Sequence, residues 1–174
     1  MSLNDATPDA YKVEFTVPGF PIAKGRPRFK NVVKRDGTRF QSVYTPKATR
    51  KYEDVAREAG RAAMGRLNPT RDAVTLMMVA FIPIPQSWPK QKRACAAAGL
   101  LLPTSRPDLD NYEKVVTDAL NGVCYEDDSQ ICDVIKSKRY STNPRVHVSV
   151  HPMDGFNADT FYMPKKARAK RKQP

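Results

Sequence analysis

Residues 73–83 read AVTLMMVAFIP, the most continuous apolar run in the chain. A run of this length bounded by turn residues predicts a central strand buried on both faces. Pro83 and Pro85 stop it, because proline has no amide hydrogen to give a ladder. N-terminal to it, Thr45-Pro46 reads as an N-cap with proline in the first turn. The helix so begun runs to about Met64, with Tyr52, Val55, Ala56, Ala59, Ala63 and Met64 facing inward and Gly65 ending it. Further upstream, residues 11–17 alternate Val13, Phe15 and Val17 as a half-buried strand does. Residues 29–33 and 39–44 form a hairpin across Arg35-Asp36-Gly37, since Asp-Gly is a strong hairpin turn. Downstream, Ser87 caps a short helix over 88–98, and a second helix covers 111–121 with Val115, Val116, Ala119 and Leu120 inward. Residues 131–140 and 145–151 then close the fold as an antiparallel pair around Thr142-Asn143-Pro144. This order is mixed α+β, a small mixed sheet with helices packed on it, and not the regular alternation of a doubly wound sheet.

With 174 residues and 40% hydrophobic content, the chain can fill one core. The boundaries read as a flexible N-terminus over 1–10, one folded domain over 11–151, and a basic tail over 152–174. No apolar run approaches the roughly 18–20 residues a membrane helix needs, and residues 1–10 lack the layout of a secretory signal. Three cysteines, Cys95, Cys124 and Cys132, form no CxxC pair, which argues against a disulfide framework and suits the cytoplasm.

The chain carries 30 Lys+Arg against 18 Asp+Glu, a formal charge of +12. Residues 24–51 hold ten of the basic side chains and a single acid, Asp36. Residues 165–172, KKARAKRK, hold six more with no acid. Such blocks either keep a surface soluble or bind a polyanion, through salt-dependent phosphate contacts. In the first block the charges are interleaved with Phe29, Phe40, Tyr44 and Tyr52, which offer stacking faces, and a nucleic acid partner is favoured. Lys24, Arg26, Arg28, Lys30, Lys47, Arg50 and Lys51 are the candidate DNA contacts.

Against this background, residues 106–111 read RPDLDN and residues 126–128 read EDD. Asp108 and Asp110, two apart in an extended lead-in, point the same way, and a return loop after the helix can bring Asp127 or Asp128 beside them. Clustered carboxylates are tolerable with a bound cation, and hard oxygen ligands suit Mg²⁺ or Mn²⁺. The same residues also admit a structural reading: Asp110 with Glu113 is a capping-box-like start, and Asp110 with Lys114 a helix-face ion pair. Lys114 can reach a scissile phosphate, or can neutralise Asp110 and nothing more.

Residues 106–131, RPDLDNYEKVVTDALNGVCYEDDSQI, resemble the signature region of the RusA family of Holliday junction resolvases, common in prophages. The PDLDN segment, the lysine four residues after its second aspartate, the DALxG helix end and the DDxQ segment are all present. Upstream, Gly19-Phe20-Pro21, Lys24-Gly25-Arg26-Pro27-Arg28, Tyr44-Thr45-Pro46 and Tyr52-Glu53 also match, as does Trp88 with its basic helix. The resemblance covers about residues 13–150. It implies a RusA-like homodimer with Mg²⁺-dependent endonuclease activity on four-way DNA junctions, encoded by a bacterium or phage, without an organic cofactor. Matched by motif, Asp108, Asp110 and Asp128 are the catalytic carboxylates and metal ligands, with Asp127 a neighbouring ligand, and Lys114 is the catalytic lysine.

Rival readings are a basic DNA-binding module without catalysis, and a metal-dependent nuclease for flaps or other branched DNA. His147 and His151 share a strand face and can bind metal, but read better as partly exposed strand residues; Trp88 reads as a packing residue.

Overall fold

The alternation of Val13, Phe15 and Val17 becomes β1 (Val13–Pro18), buried at each of those positions and exposed between them. The computed structural model describes residues 12–25 and 29–153, together with the backbone but not the side chain of Arg28. In chain order there follow β2 (Arg28–Val33), β3 (Arg39–Tyr44), α1 (Lys47–Met64), β4 (Val74–Pro83), α2 (Lys90–Ala97), α3 (Leu109–Leu120), a 3-10 turn (Asp128–Gln130), β5 (Ile131–Ser141) and β6 (Arg145–Pro152). This is the expected mixed α+β fold. The main sheet has the order β1-β6-β4-β5, and β2 and β3 form a ribbon of their own.

Three expectations need correction. β4 is central, as the apolar run predicts, but only one of its faces is deeply buried. Val74, Leu76, Met78 and Ala80 face the core, whereas Met77 is 38% exposed. The run stays apolar on its open side partly because long side chains lie over it; the Arg145 guanidinium sits 3.8 Å from the Phe81 ring centre. Second, β5 and β6 are adjacent in sequence but do not pair. β4 lies between them, parallel to β5 and antiparallel to β6. The centre of a sheet goes to the strand with most apolar area to bury, and β5, bearing Asp133, Lys136, Lys138 and Arg139, is held at the edge, where charge is tolerated. Third, the helix starts shift. Pro46 and not Thr45 occupies the N-cap of α1, Pro89 and not Ser87 that of α2, and α3 begins at Leu109. A proline disfavours helical backbone at the residue before it, which keeps Thr45 and Trp88 outside the helices.

α1 and α3 pack together over the inward face of the sheet. The buried stripe of α1 is Thr49, Tyr52, Ala56, Gly60 and Met64, a near-perfect i+4 row. Ala63 lies outside it and is exposed. Val115, Val116, Ala119 and Leu120 of α3 are buried as expected. Gly60 marks where the helices approach most closely, since a Cβ there would stand 2.7 Å from Leu120 Cδ2. Trp88 packs edge-on against Tyr140 at 5.2 Å and carries Lys92 over its ring.

The cysteines are free and differ in exposure. Cys124 is fully buried, and burial pushes its thiol up to about 12. Cys132 is exposed. Alkylation of the native protein is therefore expected to modify Cys132 first and to reach Cys124 only after unfolding. Mass spectrometry of the labelled peptides checks this.

Candidate active site

α3 begins directly after Asp108, which holds the N-cap position in extended conformation (φ −71°, ψ 154°). The peptide bond before it, Arg106-Pro107, is cis. An aspartate at an N-cap ordinarily accepts a backbone N–H, yet the Asp108 side chain makes no such bond. Asp110 lies in the first helical turn, not in an extended lead-in as expected. Its carboxylate makes no ion pair with Lys114, and Glu113, the other half of the supposed capping box, pairs with Lys136 of β5. Neither structural reading of these residues is adopted. Asp108, Asp110, Lys114 and Asp128 are all exposed. Among the described residues none of the four has a side-chain hydrogen bond or ion pair. The positive end of the α3 dipole favours negative charge at Asp108 and Asp110.

The surroundings are held firmly. Lys138 of β5 donates to the carbonyl oxygens of Ser105 (2.8 Å) and Pro107 (3.0 Å), fixing the segment that leads into Asp108. On the other side the Lys24 amide donates to the Asn111 carbonyl at 2.8 Å. The Lys24 ammonium, expected among the DNA contacts, is committed to Glu53 of α1 (2.7 Å) and Asp118 of α3. Its side chain is 22% exposed. Burial opposes its charge, but the bonds to Asp118 and Glu53 outweigh that, and its pKa is raised. Lys24 is thus an internal tie between α1, α3 and the loop after β1.

Asp127 and Asp128 open the 3-10 turn that follows the return loop and contacts α3. Asp127 Oδ1 accepts from the Ser129 amide at 2.9 Å, which lowers the carboxyl's pKa. Gln130 closes the reciprocal box, its Oε1 accepting the Asp127 amide, while its Nε2 donates to the carbonyls of Thr70 and Asp72. The DDxQ segment is thereby fastened to the segment that leads into β4, and Asp128 is exposed. Tyr125 nearby donates its hydroxyl to the Thr117 carbonyl. Its pKa is raised by burial first, then by Cys124, Asp128 and Asp118.

Among the described residues no three His, Cys, Asp or Glu side chains stand together as a metal cluster. Mg²⁺ needs no such cage, being held by one or two carboxylates with waters and substrate phosphates. The unpaired, hard oxygens of Asp108 and Asp110 fit that donor set. His147 Nε2 donates to Glu14 Oε1 (2.9 Å) and His151 Nε2 shares a hydrogen bond with the Ser149 hydroxyl (2.6 Å), so both are engaged with strand neighbours.

Of the candidate DNA contacts, Lys30, Lys47, Arg50 and Lys51 are exposed. The last three crowd the first turn of α1, which holds no acid. Basic side chains at the positive end of a helix cost stability unless an anion binds there. Arg26, the Arg28 side chain and most of the 152–174 tail lie outside the described residues. The pattern missed Lys136 and Lys138, although strand alternation puts both on the covered face of β5, where charge requires a partner.

An α+β body that offers unpaired carboxylates and a lysine at a helix start, amid basic surface, has the build of a phosphodiester hydrolase. A family model described as Endodeoxyribonuclease RusA matches residues 18–151, and the chain belongs to that family. A Bacillus subtilis (strain 168) protein, "Uncharacterized protein YqaN", is 36% identical over 140 residues, covering 79% of this chain and 94% of that protein. The family's activity makes this chain an endonuclease of DNA recombination. Among the described residues no helix is long and apolar enough to cross a membrane.

Proposed function

We propose that the protein is a Mg²⁺-dependent, homodimeric endonuclease that resolves four-way DNA junctions by paired symmetric nicks, acting in the bacterial cytoplasm. The observation that carries this is the state of Asp108, Asp110, Lys114 and Asp128: charged, exposed, and unpaired among the described residues, while their neighbours Glu113, Asp118 and Asp127 are all engaged. In the reaction, water adds to phosphorus and the P–O3′ bond breaks, leaving a 5′-phosphate and a 3′-hydroxyl. Mg²⁺, with Mn²⁺ a substitute, supplies Lewis acidity for the nucleophile and the developing charge. Asp108 and Asp110 would hold it from the helix start, with waters and substrate phosphates completing its shell. Asp128 would add negative charge from the 3-10 turn that Asp127 orients, outside that two-carboxylate set. Lys114 places positive charge at the scissile phosphate. Lys30, Lys47, Arg50 and Lys51, with Arg26 and Arg28, hold the arms through phosphates, which positions DNA without reading sequence. Two sites related by a two-fold axis address opposite strands.

The test is cleavage of a labelled four-way junction beside matched duplex, flap and Y-shaped DNA, with Mg²⁺ or EDTA. Paired nicks confined to the junction and lost in EDTA are expected. Mg²⁺-dependent cutting of all branched DNAs would discard the junction specificity. Tight binding without cutting, in Mn²⁺ and on several junction sequences, would favour a non-catalytic module.

Lys138→Met is expected to lower both Mn²⁺ affinity and cleavage, roughly 10- to 100-fold as for other residues that orient ligands. Calorimetric Mn²⁺ binding measured beside cleavage separates this from a loss of DNA contact.

A further inference from the structure

The β2–β3 ribbon pairs Phe29 with Val43, Asn31 with Gln41 and Val33 with Arg39 on one face. All six side chains are exposed, with Phe29 at 66%, Val33 at 61% and Val43 at 58%. Among the described residues the ribbon pairs with no other strand, and a two-stranded hairpin alone is marginal in water. An open apolar pair of this size marks a surface with a partner. Phe40, on the opposite face, has the Lys34 ammonium 5.6 Å from its ring centre; Phe29 has no such cover among the described residues. Toward the turn end of the ribbon, a concavity of about 330 Å³ is lined by Asn31, Val33, Arg39 and Gln41 of this face and by Phe40 of the other.

Charge selects among possible partners. Arg39 lies on this face, Lys30 on the opposite face and Lys34 and Arg35 at the turn, against a single acid, Asp36. The Asp36 carboxylate turns back to accept the Thr38 amide. The same face of a second copy would meet it with like charge. A polyanion with flat apolar surfaces satisfies both features.

We propose that this ribbon face docks unstacked bases at the branch point of the DNA. Phe29 and Val43 supply the stacking surface, the Asn31 and Gln41 amides meet base edges, and the basic side chains take flanking phosphates. Stacking faces are open only where bases are unpaired or unstacked, so the ribbon discriminates branched from continuous DNA. The inference rests on the branched-DNA reading above and adds the element that senses the branch.

The full chain would be titrated in EDTA against a four-way junction carrying 2-aminopurine at the branch point, the same junction labelled in an arm, and a duplex. Wild type is expected to raise the branch-point fluorescence alone. The Phe29→Ala/Val43→Ala double variant should lose that rise and bind the junction about 5- to 100-fold more weakly, the range for loss of a stacked base. Duplex affinity and circular dichroism should be unchanged, and Phe29→Trp should keep the rise. A full rise in the double variant would overturn the proposal while leaving the nuclease reading intact. So would an equal loss on junction and duplex, a shift from dimer to monomer by light scattering, or binding to anionic vesicles that needs Phe29. No junction binding by wild type would instead defeat the underlying reading.

Discussion

Replacing Asp110 with Asn is expected to abolish cleavage, by about 10³-fold or more, while junction binding persists. Asparagine keeps the volume and the helix start but removes one hard, charged oxygen from the first turn of α3. Asp110 has no internal partner among the described residues, so the change leaves nothing buried or orphaned, and the fold should hold. Losses of this order accompany removal of groups that stabilise transition-state charge. Binding should be equal or slightly tighter, because a negative charge leaves a surface that meets phosphates. Mn²⁺ titration of the protein without DNA should show weakened binding. Full cleavage activity in this variant would refute the assignment of the site.

The largest effect on stability is expected at Gly60. Its absent side chain is what lets α1 approach α3, for a Cβ would meet Leu120 Cδ2 at 2.7 Å, Val123 Cγ1 at 3.4 Å and Phe15 Cζ at 3.6 Å. Leu120 is fully buried, so its methyl has nowhere to retreat without disturbing the core. Gly60→Val adds two further carbons and is expected to cost about 3 kcal/mol, lowering the melting temperature by about 6–12 °C. Leu120→Ala alone leaves a cavity and costs about 2–5 kcal/mol. Combined, the two should cost less than their sum, since one fills what the other empties. Thermal unfolding followed by circular dichroism measures all three, and simple additivity would contradict the close helix crossing.

Much of this was legible in the residues. Wherever side chains alternate strictly, as at Val13, Phe15 and Val17, or repeat at helical spacing, as at Val115, Val116, Ala119 and Leu120, burial follows the pattern. Hydrophobic area must leave water whatever the topology. Motif spacing singled out Asp108, Asp110, Lys114 and Asp128, and the structure places all four on exposed surface at the start of α3 and on the 3-10 turn. Less visible was the task of each neighbour. Lys24 belongs to a basic stretch, yet its ammonium faces Glu53, 29 positions away, and Asp118, 94 positions away. Gln130 looks like part of a catalytic signature but serves as a clamp on Thr70 and Asp72. Such roles are long-range, and local composition carries no record of which distant carboxylate or carbonyl will lie opposite.

The sequence alone therefore determined most of the elements and their inward faces and marked out the candidate site residues, because periodicity, proline and covalent spacing act within a few residues. Tertiary structure alone decided that β4 separates β5 from β6, that α3 starts early enough to carry Asp110, and that Lys138 braces the segment before Asp108. It also decided which charges are consumed inside the protein and which remain for a ligand. Those outcomes depend on competition between distant groups for the sheet centre and for hydrogen-bond partners, a competition settled only when the chain has closed on itself.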